Sequence, residues 1–140
     1  AQRIMGMELA QRVPGSDVGT IDADWSGFAE GDVGRTYVEA LLRSRFALCP
    51  PGFVNNESFR YYEALLCGAL PIELRTALTH QGVATARAGQ AIRRHSWTSG
   101  LGEAAGMAEP ERRARVTAAR TLVRDRLRTL RQQIRDDVEA

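Results

Sequence analysis

Apolar positions recur along this chain with two periods, and the switches between them mark out its elements. Residues 1–12 (AQRIMGMELAQR) read as a short helix, ended by the turn signal Pro14-Gly15. "SDVGTI" is a short strand candidate, and residues 22–34 are polar and Gly-rich. From Asp32, "DVGRTYVEALLRS" sets Tyr37, Val38, Leu41 and Leu42 on one helical face. "RFALC" is short, apolar and bounded by Pro50-Pro51-Gly52, the pattern of a buried strand. A second helical pattern runs from about Ser58 to Cys67, with Gly68 in the stop position, and "ALPIE" returns to strand. Strand, loop, helix and strand in that order make the βαβ unit of a parallel sheet. The expected class is therefore α/β, a Rossmann-like parallel sheet with flanking helices.

Residues 74–108 hold no sustained period, and loop with one short strand or helix is expected there. Pro110 then opens a long helix, as proline does in a first turn. Along it Val116, Ala119, Val123, Leu127, Leu130, Ile134 and Val138 follow at steps of three and four, one apolar stripe on a charged helix. The expected organisation is a lobe over residues 1–108 and an amphipathic helix over 109–140. That helix would pack on the lobe, on a partner lobe or on a second protomer.

Composition narrows the function classes. With 44% apolar and 26% charged residues the 140-residue chain resembles an ordinary globular domain. The net charge is +2 and every basic residue is arginine, since the sequence holds no lysine. A small diffuse surplus is not the concentrated basic face of a nucleic-acid binder, and acids interrupt the arginines of the long helix. Cys49 and Cys67 lack metal-ligand spacing and read as small core hydrophobes. Asp22-x-Asp24 reads as a polar turn, His80 and His95 form no zinc ligand set, and Trp25 and Trp97 read as packing residues. No metal and no cofactor is expected.

The candidate chemistry sits where the first strand meets its helix. A helix N-terminus leaves backbone N–H groups unpaired and carries partial positive charge, which suits a phosphate. Gly52 would let the backbone approach a ligand, and Ser58 can cap the helix or bond a phosphate oxygen. Arg60 adds a planar fork of donors, and its charge is unfavourable beside a helix N-terminus until an anion arrives. Glu63, three residues on, can accept hydrogen bonds from sugar or ribose hydroxyls. The competing structural reading is an Arg60–Glu63 surface pair with Ser58 as an ordinary cap.

The line "SRFALCPPGFVNNESFRYYEALLCGALPIE" resembles the signature of exostosin-type glycosyltransferases. Ser44, Phe46, Cys49, Pro50, Gly52, Ser58, Arg60, Glu63, Ala64, Leu65, Gly68 and Pro71 carry the resemblance with the spacing intact. It implies the C-terminal lobe of a GT-B architecture, which holds the nucleotide-sugar. On that implication Ser58 and Arg60 meet the diphosphate, Glu63 holds the ribose, and Asn55, Asn56 and Glu57 line the loop near the donor sugar. The family's motif has Arg where this chain has Pro51, and Arg45 and Arg75 are the cations that could substitute.

The resulting expectation is transfer of a sugar, from a UDP- or GDP-type nucleotide-sugar, to a glycan or lipid-linked acceptor. The acceptor base belongs to the other lobe, so no catalytic residue is identified and the isolated chain is expected to bind rather than turn over. The alternative is a non-catalytic assembly module that presents the terminal stripe to a partner. The first reading requires Arg60 and Glu63 to converge on an open loop mouth; the second expects them paired or buried and the stripe exposed. A glycan at Asn56, in "NES", would obstruct the donor loop, so a cytoplasmic or membrane-peripheral setting is expected. The Golgi lumen is the alternative for a chain with an upstream anchor.

Overall fold

The computed structural model describes residues 2–16, 18, 32–51, 59–75 and 90–139. Among the described residues three short strands form one parallel sheet in the order β1 (Phe46–Leu48), β2 (Leu70–Leu74), β3 (Ile92–Arg94). Phe46 pairs with Leu70 and Leu48 with Ile72 on one side of β2, while Ile72 pairs with Ile92 and Leu74 with Arg94 on the other. Among the described residues five helices surround the sheet: α1 (Gln2–Gln11), α2 (Asp32–Arg43), α3 (Phe59–Cys67), α4 (Trp97–Gly106) and α5 (Glu109–Glu139). The chain is thus α/β, with the β1–α3–β2 unit that the apolar periods predict.

Because β2 is central and covered on both faces, all five of its residues are buried. Side chains alternate across a strand, so the two faces build two cores. Leu70, Ile72 and Leu74 join Ile92, Trp97, Ala104, Met107 and Val116 on the face that α4 covers. The opposite core holds Cys49, Tyr61, Ala64, Leu65, Ala69, Ala91 and Ala119, against α3. Close seating of α4 on the sheet depends on Gly100, where an added Cβ would stand 2.7 Å from a methyl carbon of Ile72. Where one short strand or helix was expected within residues 74–108, the described part, 74–75 and 90–108, supplies both β3 and α4, and residues 76–89 lie outside the described residues. Trp97 and Cys49 are core residues, Cys67 is half-buried, and both thiols are free.

Helix α3 ends at Gly68, whose φ of 91° suits glycine and whose N–H returns to Leu65 O. Arg120 of α5 donates to Leu65 O at 2.5 Å and Leu66 O at 2.6 Å, setting a cation on the carbonyl end of α3. Arg112 likewise donates to Gly68 O at 2.7 Å and to Arg45 O at 3.3 Å. These contacts tie the first half of α5 to the end of the sheet where β1 and β2 begin. Val116 and Ala119 are buried there, but Leu127, Ile134 and Val138 are exposed, so the body covers only the first half of the stripe. Similarly, Leu41 of α2 is buried and Tyr37 half-buried, while Val38 and Leu42 stay exposed. Among the described residues no helix is long and apolar enough to cross a membrane.

Candidate functional site

Strand β1 runs into Cys49, Pro50 and Pro51, and α3 begins at Phe59, so the first turn of α3 sits beyond the carboxyl end of the sheet. That is where open α/β sheets present loops and helix N-termini to ligands. Gly52, Asn55, Asn56, Glu57 and Ser58 lie outside the described residues, as do Asp22, Asp24 and His80. Of the predicted site residues, Arg60 and Glu63 are described: Arg60 is exposed on the first turn, and Glu63 is half-buried one turn later.

Glu63 takes its hydrogen bond from α2. The Tyr37 hydroxyl donates to Glu63 Oε2 at 2.8 Å, joining residues 26 apart in sequence. Burial, and then this bond to the carboxylate, push the Tyr37 phenol well above its ordinary value. Arg60 lies close enough to oppose the shifts of both the Tyr37 phenol and the Cys49 thiol. Arg60, Glu63, Tyr37 and Cys49 therefore form one neighbourhood at the mouth of β1. Cys49 is buried, and its thiol is raised first by burial and then by the charge of Glu73.

Glu73 and Arg93 are residues that the sequence reading did not single out. They are register partners on β2 and β3, and both face the α3 side, opposite the neighbouring Ile72 and Ile92. Arg93 Nε donates to Glu73 Oε2 at 3.0 Å, with the side chains 19% and 7% exposed. An acid in the otherwise apolar run "ALPIE" is the signal that could have flagged Glu73; Arg93 offered none, because no apolar period fixes a strand at its position. The Tyr61 phenol packs beside the pair and is raised first by burial and then by Glu73.

The two cations considered as substitutes at Pro51 part company. Arg45 stands at the opposite end of β1, paired with Glu109 at 3.2 Å, and so is remote from the site. Arg75 follows the carboxyl end of β2, exposed, with its N–H on Arg94 O at 2.8 Å. A cleft of about 370 Å³ lies on the α4 side of the sheet, where Arg94, Glu103, Glu111 and Arg115 pair with one another. Its charges pair within the cleft, and the candidate that the sequence marks lies on the α3 side. There an exposed guanidinium and an oriented carboxylate sit beside a helix N-terminus, a set able to receive a phosphate and a hydroxyl-bearing group.

Searches of curated proteins and of solved structures return no match. The sequence model of the RXYLT1 C-terminal domain matches residues 17–93, more than half of the chain, spanning α2, β1, α3, β2 and most of β3. That domain is of the exostosin-like group and takes its name from a xylosyltransferase. The chain therefore belongs to the RXYLT1 C-terminal domain family, a glycosyltransferase-related family.

Proposed function

We propose that this chain is the donor-binding lobe of a GT-B glycosyltransferase, holding a nucleotide-sugar for transfer to a glycan or lipid-linked acceptor. The observation that carries the reading is the pairing of family membership with the Arg60–Glu63–Tyr37 arrangement beyond the carboxyl end of β1. In this reading Arg60 and the N-terminal turn of α3 receive the diphosphate. Glu63, oriented by Tyr37, accepts from the ribose hydroxyls. Ser58 and Gly52 contribute to the diphosphate, and Asn55, Asn56 and Glu57 line the donor sugar. Positive groups at the diphosphate stabilise the leaving group as the acceptor hydroxyl attacks the anomeric carbon. The acceptor base comes from a second lobe, and on this reading Arg75, which follows the carboxyl end of β2, takes the place of the family's Arg at Pro51.

Titration calorimetry with UDP and then GDP tests the reading, with Arg60→Ala alongside. Saturable binding of one nucleotide, weakened at least about tenfold in a folded Arg60→Ala variant, is the expected outcome, since a charge-assisted contact is worth roughly 1.5–3 kcal/mol. Equal affinity in the variant would remove Arg60 from the site, and no binding of either nucleotide would remove the donor-lobe reading itself.

A further inference from the structure

The distal half of α5 is a second surface, independent of the donor site. Its apolar face continues the one buried in the body: Val116 and Ala119 are covered, Val123 packs at the margin, and then Leu127, Leu130, Ile134 and Val138 run on. Leu127 is 50%, Ile134 62% and Val138 80% exposed. One flank of this strip is a row of arginines at helical spacing, Arg124, Arg128, Arg131 and Arg135. Arg128 has a long contact to Asp125 at 3.6 Å; among the described residues Arg124, Arg131 and Arg135 have no ion pair. The other flank carries Arg126, Gln133 and Asp137, with no net charge.

We infer that the distal half of α5 docks an acidic amphipathic helix of another protein, which covers the aliphatic strip and sets a row of carboxylates against the arginine flank. The one-sided placement of charge selects this occupant. A bilayer is the same on both sides of a helix lying in it and would reward cations on both flanks. A second helix packed on the strip meets each flank separately, and flank charges set which partners pair. A second copy of this chain fits poorly: antiparallel pairing sets arginine row against arginine row, and parallel pairing sets it against a flank of no net charge.

The test uses the full chain and two labelled synthetic helical peptides with the same Leu/Ile strip, one flanked by Glu and the other by Lys, read by fluorescence anisotropy. The Glu-flanked peptide is expected to bind at least about tenfold tighter, from several exposed ion pairs acting together, with the gap closing in high salt. Arg128→Glu/Arg131→Glu/Arg135→Glu should reverse the preference, and Leu127→Gln/Ile134→Gln should abolish binding of both peptides. These positions face solvent, so the helicity and melting temperature of both variants should match the parent, a control on folding. Equal affinity for the two peptides, or binding of neither, overturns the inference. So does tighter binding to phosphatidylglycerol vesicles than to the Glu-flanked peptide, which reassigns the surface to lipid. Sedimentation of the chain alone as a dimer that Leu127→Gln/Ile134→Gln dissociates reassigns it to self-association.

Discussion

Removing either member of the Glu73–Arg93 pair should cost the fold more than removing both. Glu73 has a side chain only 7% exposed and Arg93 one 19% exposed, so Glu73→Leu leaves a guanidinium inside the α3 face with its carboxylate gone. Breaking a buried pair costs about 3–5 kcal/mol. The residual exposure of Arg93 gives water some access, so about 2–4 kcal/mol is expected for Glu73→Leu and a similar loss for Arg93→Met. Against a total stability of roughly 5–15 kcal/mol that is a large fraction, equivalent to a melting temperature lower by about 6–15 °C. The double variant Glu73→Leu/Arg93→Met replaces both charges by apolar groups of similar length. It should return to within about 1 kcal/mol of the parent, a coupling of at least about 2 kcal/mol. Urea unfolding followed by tryptophan fluorescence reads all four proteins, because Trp97 is buried and emits differently once exposed. Single variants within about 0.5 kcal/mol of the parent would refute the burial argument, and a double variant equal to the sum of the singles would refute the coupling.

Three further outcomes follow from local geometry. Gly100→Ala, forced to within 2.7 Å of Ile72, should lose about 1–2 kcal/mol after the helix-propensity gain, whereas Gly102→Ala, with nothing within 4 Å, should gain about 0.5–1 kcal/mol; thermal melts separate the two. Glu109 accepts from Arg45, Arg112 and Arg113, and the Arg112 and Arg113 bonds foremost hold its carboxyl far below the ordinary 4.5. Its contribution is therefore present above pH 4.5 and lost as pH falls below it, so Glu109→Gln should differ from the parent in urea midpoint at pH 7 and converge with it in acid. The Tyr37 and Tyr61 phenols, both raised mainly by burial, should stay protonated beyond their ordinary 10.0 while the chain is folded. They contribute stability below pH 10 that is lost as pH rises above it, and absorbance at alkaline pH should show fewer than three phenolates until unfolding.

The β1–α3–β2 unit was legible because each of its marks is local: an apolar run closed by Pro50-Pro51, a helical period, then Gly68, which holds a φ of 91°. That Arg60 and Glu63 are neighbours on α3 was legible for the same reason, since three residues apart on a helix are close wherever the helix packs. Tyr37 was counted among the apolar positions of α2, and nothing along the chain announces that its hydroxyl turns to Glu63.

By itself, then, the amino-acid order determined the class of the sheet and the long C-terminal helix. Tertiary structure alone decided the partners. Glu73 meets Arg93 because β2 and β3 align in parallel, and a parallel register is set across a long crossover rather than by a tight turn. Arg45 is drawn to Glu109 at the far end of β1, although the sequence allowed it near the site. The stripe on α5 shows the same limit: spacing states that Val116 and Val138 share a face, but the reach of the body states that one is 5% and the other 80% exposed. Periodicity is a property of one element, whereas burial is a property of two.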